Sequence, residues 1–338
     1  MRYAIVGSGA VGGLYGGMLA HAGHDVHFLL HSDLPHVAKH GLRIDSVRGD
    51  FVITNPNVYA DAADMPRCDV VIVALKSTNN SLLPNILPGL LNQTGVVLSL
   101  QNGLDVEADS AATVPDHGVL GGCCFLCSNK VGPGHIRHLD YGRIVFGIYR
   151  PAQVRPEMTE HLQAIGQQIQ ADMIDSGIEA QWTDDLAEAR WRKLMWNIPF
   201  NGLSVALDAS TDQIIGSPPA RELADKIIRE VHRGAAMCGV KVDEAAIEKT
   251  MKHTETMVPY DSSMRLDFLN GRPMEIQAIF TNPLRAVDAA MSATAPEQLA
   301  ERGKISGKSA DVMPSVAMLQ QQLQFLDSRR LAASNLTG

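Results

Sequence analysis

Residues Gly7-Ser8-Gly9-Ala10-Val11-Gly12 spell G-x-G-x-x-G directly behind a short apolar run, residues 2–6, and directly ahead of a small-residue helical stretch, residues 10–22. No other feature restricts the fold as much. Alone the pattern is common, but at the first turn of a βαβ unit it has a mechanical reading. The first glycine permits a tight turn, the second lets backbone approach a pyrophosphate, and the third lets helix pack closely on strand. The free N–H groups that open the helix then meet the anion, with the positive end of the helix dipole behind them. Gly7, Ser8, Gly9, Ala10, Val11 and Gly12 are therefore the expected cradle of a dinucleotide.

The strand–helix alternation continues. Gly23 ends the first helix, and residues 25–30 contain a second strand. Residues 69–75 and 96–100 are near-continuous apolar runs, the pattern of parallel strands buried on both faces. Together these predict an α/β domain with a doubly wound sheet. Beyond about residue 118, short strands at 119–126, 134–138 and 144–148 suggest a hairpin-rich edge, followed by a helix near 155–175 and a strand at 179–182. From Asp184 onward the periodicity is helical only, over 185–213, 219–238, 243–255, 261–270, 274–291 and 312–328. The expected division is a cofactor domain, 1–183, and an all-helical domain, 184–338. A chain of 338 residues has room for about two domains. Residues 292–311, rich in Ala, Ser, Gly and Lys, read as a polar insertion between two helices.

Composition excludes several function classes. Lys+Arg is 29 against 37 Asp+Glu, a net charge of −8, which disfavours a nucleic-acid binder needing clustered cations. No run approaches the roughly 20 apolar residues of a membrane span. The N-terminus reads as a strand meeting a glycine loop rather than a signal peptide, so the expected location is the cytoplasm. Cys123, Cys124 and Cys127 precede His135 and His138 and invite a zinc reading. On a strand, however, residues three apart face opposite ways, and the gap is shorter than usual finger spacing. No metal is expected.

His31-Ser32-Asp33 follows the second strand, where the cofactor ribose is read. His31 and Ser32 can donate to a 2′-phosphate, Lys76 at the end of the next strand can add a cation, and Asp33 argues the other way. NADPH is favoured over NADH, which stays open. In Trp191-Arg192-Lys193-Leu194-Met195-Trp196-Asn197-Ile198-Pro199-Phe200-Asn201, the polar Lys193, Asn197 and Asn201 share a roughly 80° sector at helical spacing. The remainder is mostly apolar, so the helix is expected to be buried, and its polar stripe needs a wet or ligand-filled neighbour. The plainer alternative is a lysine snorkelling to water beside a kink at Pro199. A cation beside a carbonyl suits ketone reduction, where the nascent alkoxide must be stabilised and protonated.

These features resemble the ketopantoate (2-dehydropantoate) 2-reductases over almost the whole chain. The resemblance rests on the glycine loop, Leu75-Lys76, Gln101-Asn102-Gly103, Trp191-Arg192-Lys193-Leu194 with two downstream Asn, Ser262-Ser263-Met264 with Asp267, and Glu275-Ile276. It implies a Rossmann-type domain followed by an all-helical domain, with the active site in the cleft between them. It also implies NADPH-dependent reduction of 2-ketopantoate to pantoate, on the route to pantothenate and coenzyme A. By position, Lys193 is the implied general acid and Glu275 the acid that organises substrate and lysine. Asn102 would hold cofactor and substrate, with Asn197, Asn201 and Ser263 contacting a small 2-keto acid. Each also has a plainer reading: Asn102-Gly103 as a turn, Ser263 as part of a helix start, Glu275 as a first-turn helix acid. Two departures stand out, His31 where the family often has Arg, and the 292–311 insertion. The rival readings are an opine- or hydroxyacid-type dehydrogenase acting on another 2-keto acid, and a non-catalytic NADP(H) sensor. The sequence leaves a homodimer open.

Overall fold

The structure, a computed structural model, describes residues 1–150, 156–259, 261–293 and 308–337, with backbone alone at 156–157 and 331–337. The chain forms two compact units. One comprises Met1–Asn102 and Val106–Leu186, the other Gly103–Asp105 and Ala187–Gly338.

The first unit is built on one ten-stranded sheet. Its strands are β1 (Arg2–Val6), β2 (Asp25–Leu29), β3 (Leu42–Ser46), β4 (Phe51–Ile53), β5 (Asn57–Tyr59), β6 (Cys68–Val73), β7 (Leu91–Ser99), β8 (Gly118–Gly132), β9 (His135–Ile148) and β10 (Ala180–Trp182). Its helices are α1 (Ala10–His21), α2 (Leu34–His40), α3 (Leu83–Leu90), α4 (Glu107–Thr113) and α5 (Pro156–Asp175). The strand order is β4-β3-β9-β8-β7-β6-β1-β2-β5, with β10 on β9. From β8 to β5 all neighbours are parallel. β1 lies between β2 and β6, so the chain leaves it in opposite directions along the sheet. That switch point, outside the carboxyl ends of the strands, is where open α/β sheets bind ligands, and Gly7 follows β1 there.

The central runs are apolar because both faces are covered. Tyr3, Ile5, Val70, Ile72, Val96 and Leu98 enter one core with Leu14 of α1 and Ile169 of α5. The alternate residues Ala4, Val6, Val71, Val73 and Val97 enter another with Leu83 and Leu87 of α3. Period-2 alternation thus feeds two layers at once.

The edge corrects the sequence reading. In place of three short strands, β8 and β9 form one antiparallel hairpin of 15 and 14 residues. Its register shifts at Phe125/Leu126, Cys127/Ser128 and Lys130/Gly132. Such irregularities break the alternation without ending the pairing. The strands β3, β4 and β5 were not foreseen, being three to five residues of mixed character. The cysteines of β8 are buried, and burial pushes the Cys127 thiol up to about 12.

The second unit is helical among its described residues. It contains α6 (Leu186–Ala206), α7 (Thr211–Gly216), α8 (Pro218–Met237), α9 (Ala245–Thr256), α10 (Ser263–Leu269), a π-helical turn (Gln277–Thr281) leading into α11 (Asn282–Ala293), α12 (Ser309–Val312) and α13 (Pro314–Thr337). The helix expected over 185–213 is divided. Asp208 takes a positive φ of 47°, and Gln213 restarts the helix by accepting the Ser210 N–H at 2.9 Å. Trp191, Leu194, Met195, Ile198 and Phe200 of α6 join Ile227, Val231 and Phe280 in the core. Glu230 of α8 is fully buried and accepts the Ser315 and Val316 N–H groups, satisfying two donors at the start of α13. Most of the expected 292–311 insertion, residues 294–307, lies outside the described residues. Among the described residues no helix is long and apolar enough to cross a membrane.

Candidate active site

In the sheet unit the glycine loop is shaped by what side chains could not occupy. Gly7 has φ 98°, and a Cβ there would lie 2.7 Å from the Ala74 carbonyl carbon. A Cβ on Gly12 would run into the Gly7 carbonyl oxygen. Gly9 is different, since no described atom lies within 4 Å of where its Cβ would be. Gly9 is the N-cap of α1, and it makes no side-chain cap bond. An open space beside an uncapped helix start fits a pyrophosphate, so the residues present suit a dinucleotide. Ser8, Ala10 and Val11 complete the loop between these glycines.

The close packing of Gly7 on Ala74 and Leu75 sets Lys76 just beyond, half-buried at the start of the 3₁₀ turn Ser77–Leu82. The buried Gln101 steadies this region. Its side-chain amide donates to the Leu75 carbonyl at 2.9 Å and to Asn80 Oδ1 at 2.6 Å, tying the chain after β7 to the chain after β6. Asn102 follows it, half-buried.

At the end of β2, His31 and Ser32 are exposed, but Asp33 is not. Its carboxylate accepts the Gly134 N–H at 3.0 Å, the Lys130 ammonium at 2.7 Å and the Ser32 hydroxyl at 3.4 Å. Burial alone would raise its pKa. The bonds from Gly134 and Lys130 outweigh that and hold the carboxyl below its usual range. The acid that argued for NADH is therefore committed within the protein.

In the helical unit, Lys193, Asn197 and Asn201 lie one turn apart on α6. Lys193 is half-buried, while Asn197 is 5% and Asn201 2% exposed. Asn201 Oδ1 accepts the Met264 N–H at 3.3 Å and the Ser263 hydroxyl at 3.5 Å. A second chain of bonds runs beside it. The Arg265 N–H donates to Ser262 Oγ at 3.2 Å, Ser262 and Ser204 share a 2.6 Å bond, and Ser204 donates to the Asn201 carbonyl at 3.0 Å. The start of α10 is thereby fastened to α6 at Asn201, which brings Ser263 beside it. Asn197 Nδ2 is buried with no hydrogen-bond partner among the described residues. Leaving such a donor unmade costs about 1–3 kcal/mol, which a bound oxygen would relieve. Pro199 removes the helical partner of the Met195 carbonyl in the same stretch.

Glu275, 6% exposed, precedes the π-helical turn, and its carbonyl accepts the Ile279 N–H at 3.1 Å. π turns are rare and recur at functional sites. Here the Ala278 carbonyl accepts the Leu104 N–H at 2.9 Å, and Asn282 donates to the Leu104 carbonyl at 2.8 Å. Gly103 takes φ 111° against this turn. Asp267 pairs with Arg272 at 2.9 Å.

Sequence reasoning missed Lys130, the Ser204–Ser262 pair and the docking of Gly103. The only local signal was the Asn-Gly pair at 102–103. The other partners come together through tertiary structure alone.

Comparison with known proteins follows the same division. The family model described as Ketopantoate reductase PanE/ApbA matches residues 3–151, and its C-terminal counterpart matches residues 185–296. A 2-dehydropantoate 2-reductase of Nostoc sp. is 43% identical over 329 residues, covering 97% of this chain and 96% of its own. One from Halobacterium salinarum is 29% identical over 281 residues, covering 82% and 89%. The crystal structure of 2-dehydropantoate 2-reductase from Geobacter metallireducens superposes with a TM-score of 0.83 at 34% identity, covering 96% of this chain and 99% of that one.

Proposed function

The chain belongs to the ketopantoate reductase family, and from that premise we propose that it reduces 2-dehydropantoate to pantoate with NADPH. One observation carries the reading at residue level. Within the mostly apolar stretch 193–201 of α6 the polar positions are Lys193, Asn197 and Asn201 on one face, and Asn197 keeps a buried donor unmade among the described residues. The 43% identity to a 2-dehydropantoate 2-reductase along 97% of the chain supports this substrate over other 2-keto acids.

The reduced nicotinamide, when bound, supplies hydride to the keto carbon. The loop from Gly7 to Gly12 holds the pyrophosphate on backbone N–H groups. His31, Ser32 and Lys76 serve the adenosine phosphate. Asn102 holds the nicotinamide ribose and the substrate. Lys193 stabilises the carbonyl oxygen as charge develops and donates the proton that makes it a hydroxyl. Glu275 orients the lysine or the new hydroxyl. Asn197, Asn201 and Ser263 bind the substrate's oxygens. With its Oδ1 taken by α10, Asn201 has its Nδ2 to offer, so both asparagines act as donors, as an anionic keto acid requires. NADPH is preferred because Asp33 is occupied internally.

The test is to incubate the protein with NADPH and 2-dehydropantoate and follow both nucleotide and product. Pantoate should form in step with NADPH loss, with no amine needed. Consumption only when an amine is added would mark an opine-type dehydrogenase. Binding without turnover on any keto acid would mark a sensor.

A further inference from the structure

We infer that Lys130, on the far part of the β8–β9 hairpin, is a cofactor-selecting residue: it masks the Asp33 carboxylate and presents an ammonium to the 2′-phosphate of the adenosine ribose. The inference rests on the NADPH reading and deepens it.

Three observations meet at this side chain. The first is the state of Asp33. In doubly wound folds an acid after the second strand holds the ribose hydroxyls of NAD. Here that acid is 6% exposed, bound by the Gly134 N–H, and 2.7 Å from the Lys130 ammonium. A carboxylate so held is turned from solvent and neutralised, and can neither accept from a ribose hydroxyl nor repel a phosphate at full strength.

The second is where the hairpin runs. Two residues before Lys130, Ser128 Oγ donates to the Ala10 carbonyl in the first turn of α1 at 3.3 Å. Between Ser128 and Lys130 the pairing with β9 is regular, Ser128 to His138, Asn129 to Arg137 and Lys130 to Ile136. Ser128 and Lys130 therefore share a face. That face runs from the start of α1, where a pyrophosphate would sit, to the turn after β2, where the ribose would be read.

The third is capacity. An ammonium has three donors, and the Lys130 side chain is 36% exposed. It can keep Asp33 and still meet a second anion. His31 and Ser32, exposed in the same turn as Asp33, add further donors. A lysine here takes the place of the arginine on which NADP selection often relies after β2, but from a strand 97 residues further along the chain.

The experiment measures dissociation constants of NADPH and NADH by titration, without turnover, for the wild type, Lys130→Met, Lys130→Arg and the double variant Lys130→Met/Asp33→Asn. Thermal unfolding is followed alongside. Lys130→Met should weaken NADPH by roughly tenfold to a hundredfold, the loss of one charge-assisted bond, and NADH far less. It uncovers Asp33 as well as removing the cation, so the double variant should recover part of the NADPH affinity. Lys130→Arg should keep the preference. A preference unchanged in Lys130→Met, or equal weakening of both nucleotides in a variant that melts like the wild type, overturns the inference while leaving the NADPH reading intact. A wild type that does not prefer NADPH overturns that reading, and this inference with it.

Discussion

Lys193→Ala should lower kcat by about 10²–10⁴-fold, the contribution typical of a positioned general acid, while NADPH still binds. The reasoning is chemical. As hydride reaches a keto carbon, the oxygen becomes an alkoxide far more basic than water tolerates, and a nearby ammonium both stabilises it and gives it a proton. Lys193 lies on the face of α6 that carries the buried Asn197 and Asn201, a turn ahead of the first and two turns ahead of the second. The glycine loop and the turns after β2 and β6 that form the cofactor cradle all belong to the sheet unit, and Lys193 to the helical unit, so nucleotide affinity should change far less than kcat. Steady-state rates with saturating NADPH, paired with a direct NADPH titration, check both halves. A variant with wild-type kcat would remove Lys193 from proton transfer. A variant that loses NADPH binding would make it a cofactor residue.

Gly103→Ala should destabilise the protein by about 2–6 kcal/mol, combining a strained backbone with overpacking. Gly103 has φ 111°, and an added Cβ would lie 2.5 Å from Ala278 Cβ and 2.6 Å from the Ala278 carbonyl oxygen. That oxygen already accepts the Leu104 N–H, so neither partner can yield without breaking the bond that docks this segment on the π turn. Because Asn102 precedes Gly103 and Glu275 lies three residues before Ala278, activity should fall with stability. Gly9→Ala supplies the contrast. Gly9 has φ −75°, and its Cβ would meet no described atom within 4 Å, so stability should hold while cofactor affinity falls, since the methyl enters the space left for the pyrophosphate. Denaturant unfolding and NADPH titration of the two variants separate the effects. Equal stability losses would contradict this reading of both glycines.

Much of the architecture is written locally. β1, β6 and β7 could be read because strands covered on both faces have no polar register to confuse them. The glycine loop could be read because its steric demands leave few substitutes. The stripe on α6 stood out because the rest of the stretch 191–201 is mostly apolar. β3, β4 and β5 could not be read, since strands of three to five mixed residues owe their pairing to neighbours rather than to pattern. The π turn escaped for a similar reason, as its wider hydrogen-bond ring has no residue signature and it read as ordinary helix over 274–291. Asn201 and Ser263 are 62 residues apart, and Lys130 and Asp33 are 97 apart. Periodicity carries no information about such pairs. The first was implied by family resemblance, and the second emerged only from the course of the hairpin.

The most direct test of the proposed chemistry is isotopic. NADPH carrying deuterium at both hydrogens of nicotinamide C4 would be mixed with 2-dehydropantoate and the protein, and the pantoate examined by mass spectrometry and NMR. The expected product carries one deuterium, bound to C2, with its hydroxyl proton drawn from solvent. Pantoate without label, label at any other carbon, or no pantoate while nucleotide binds would contradict hydride transfer to a 2-keto acid at this site.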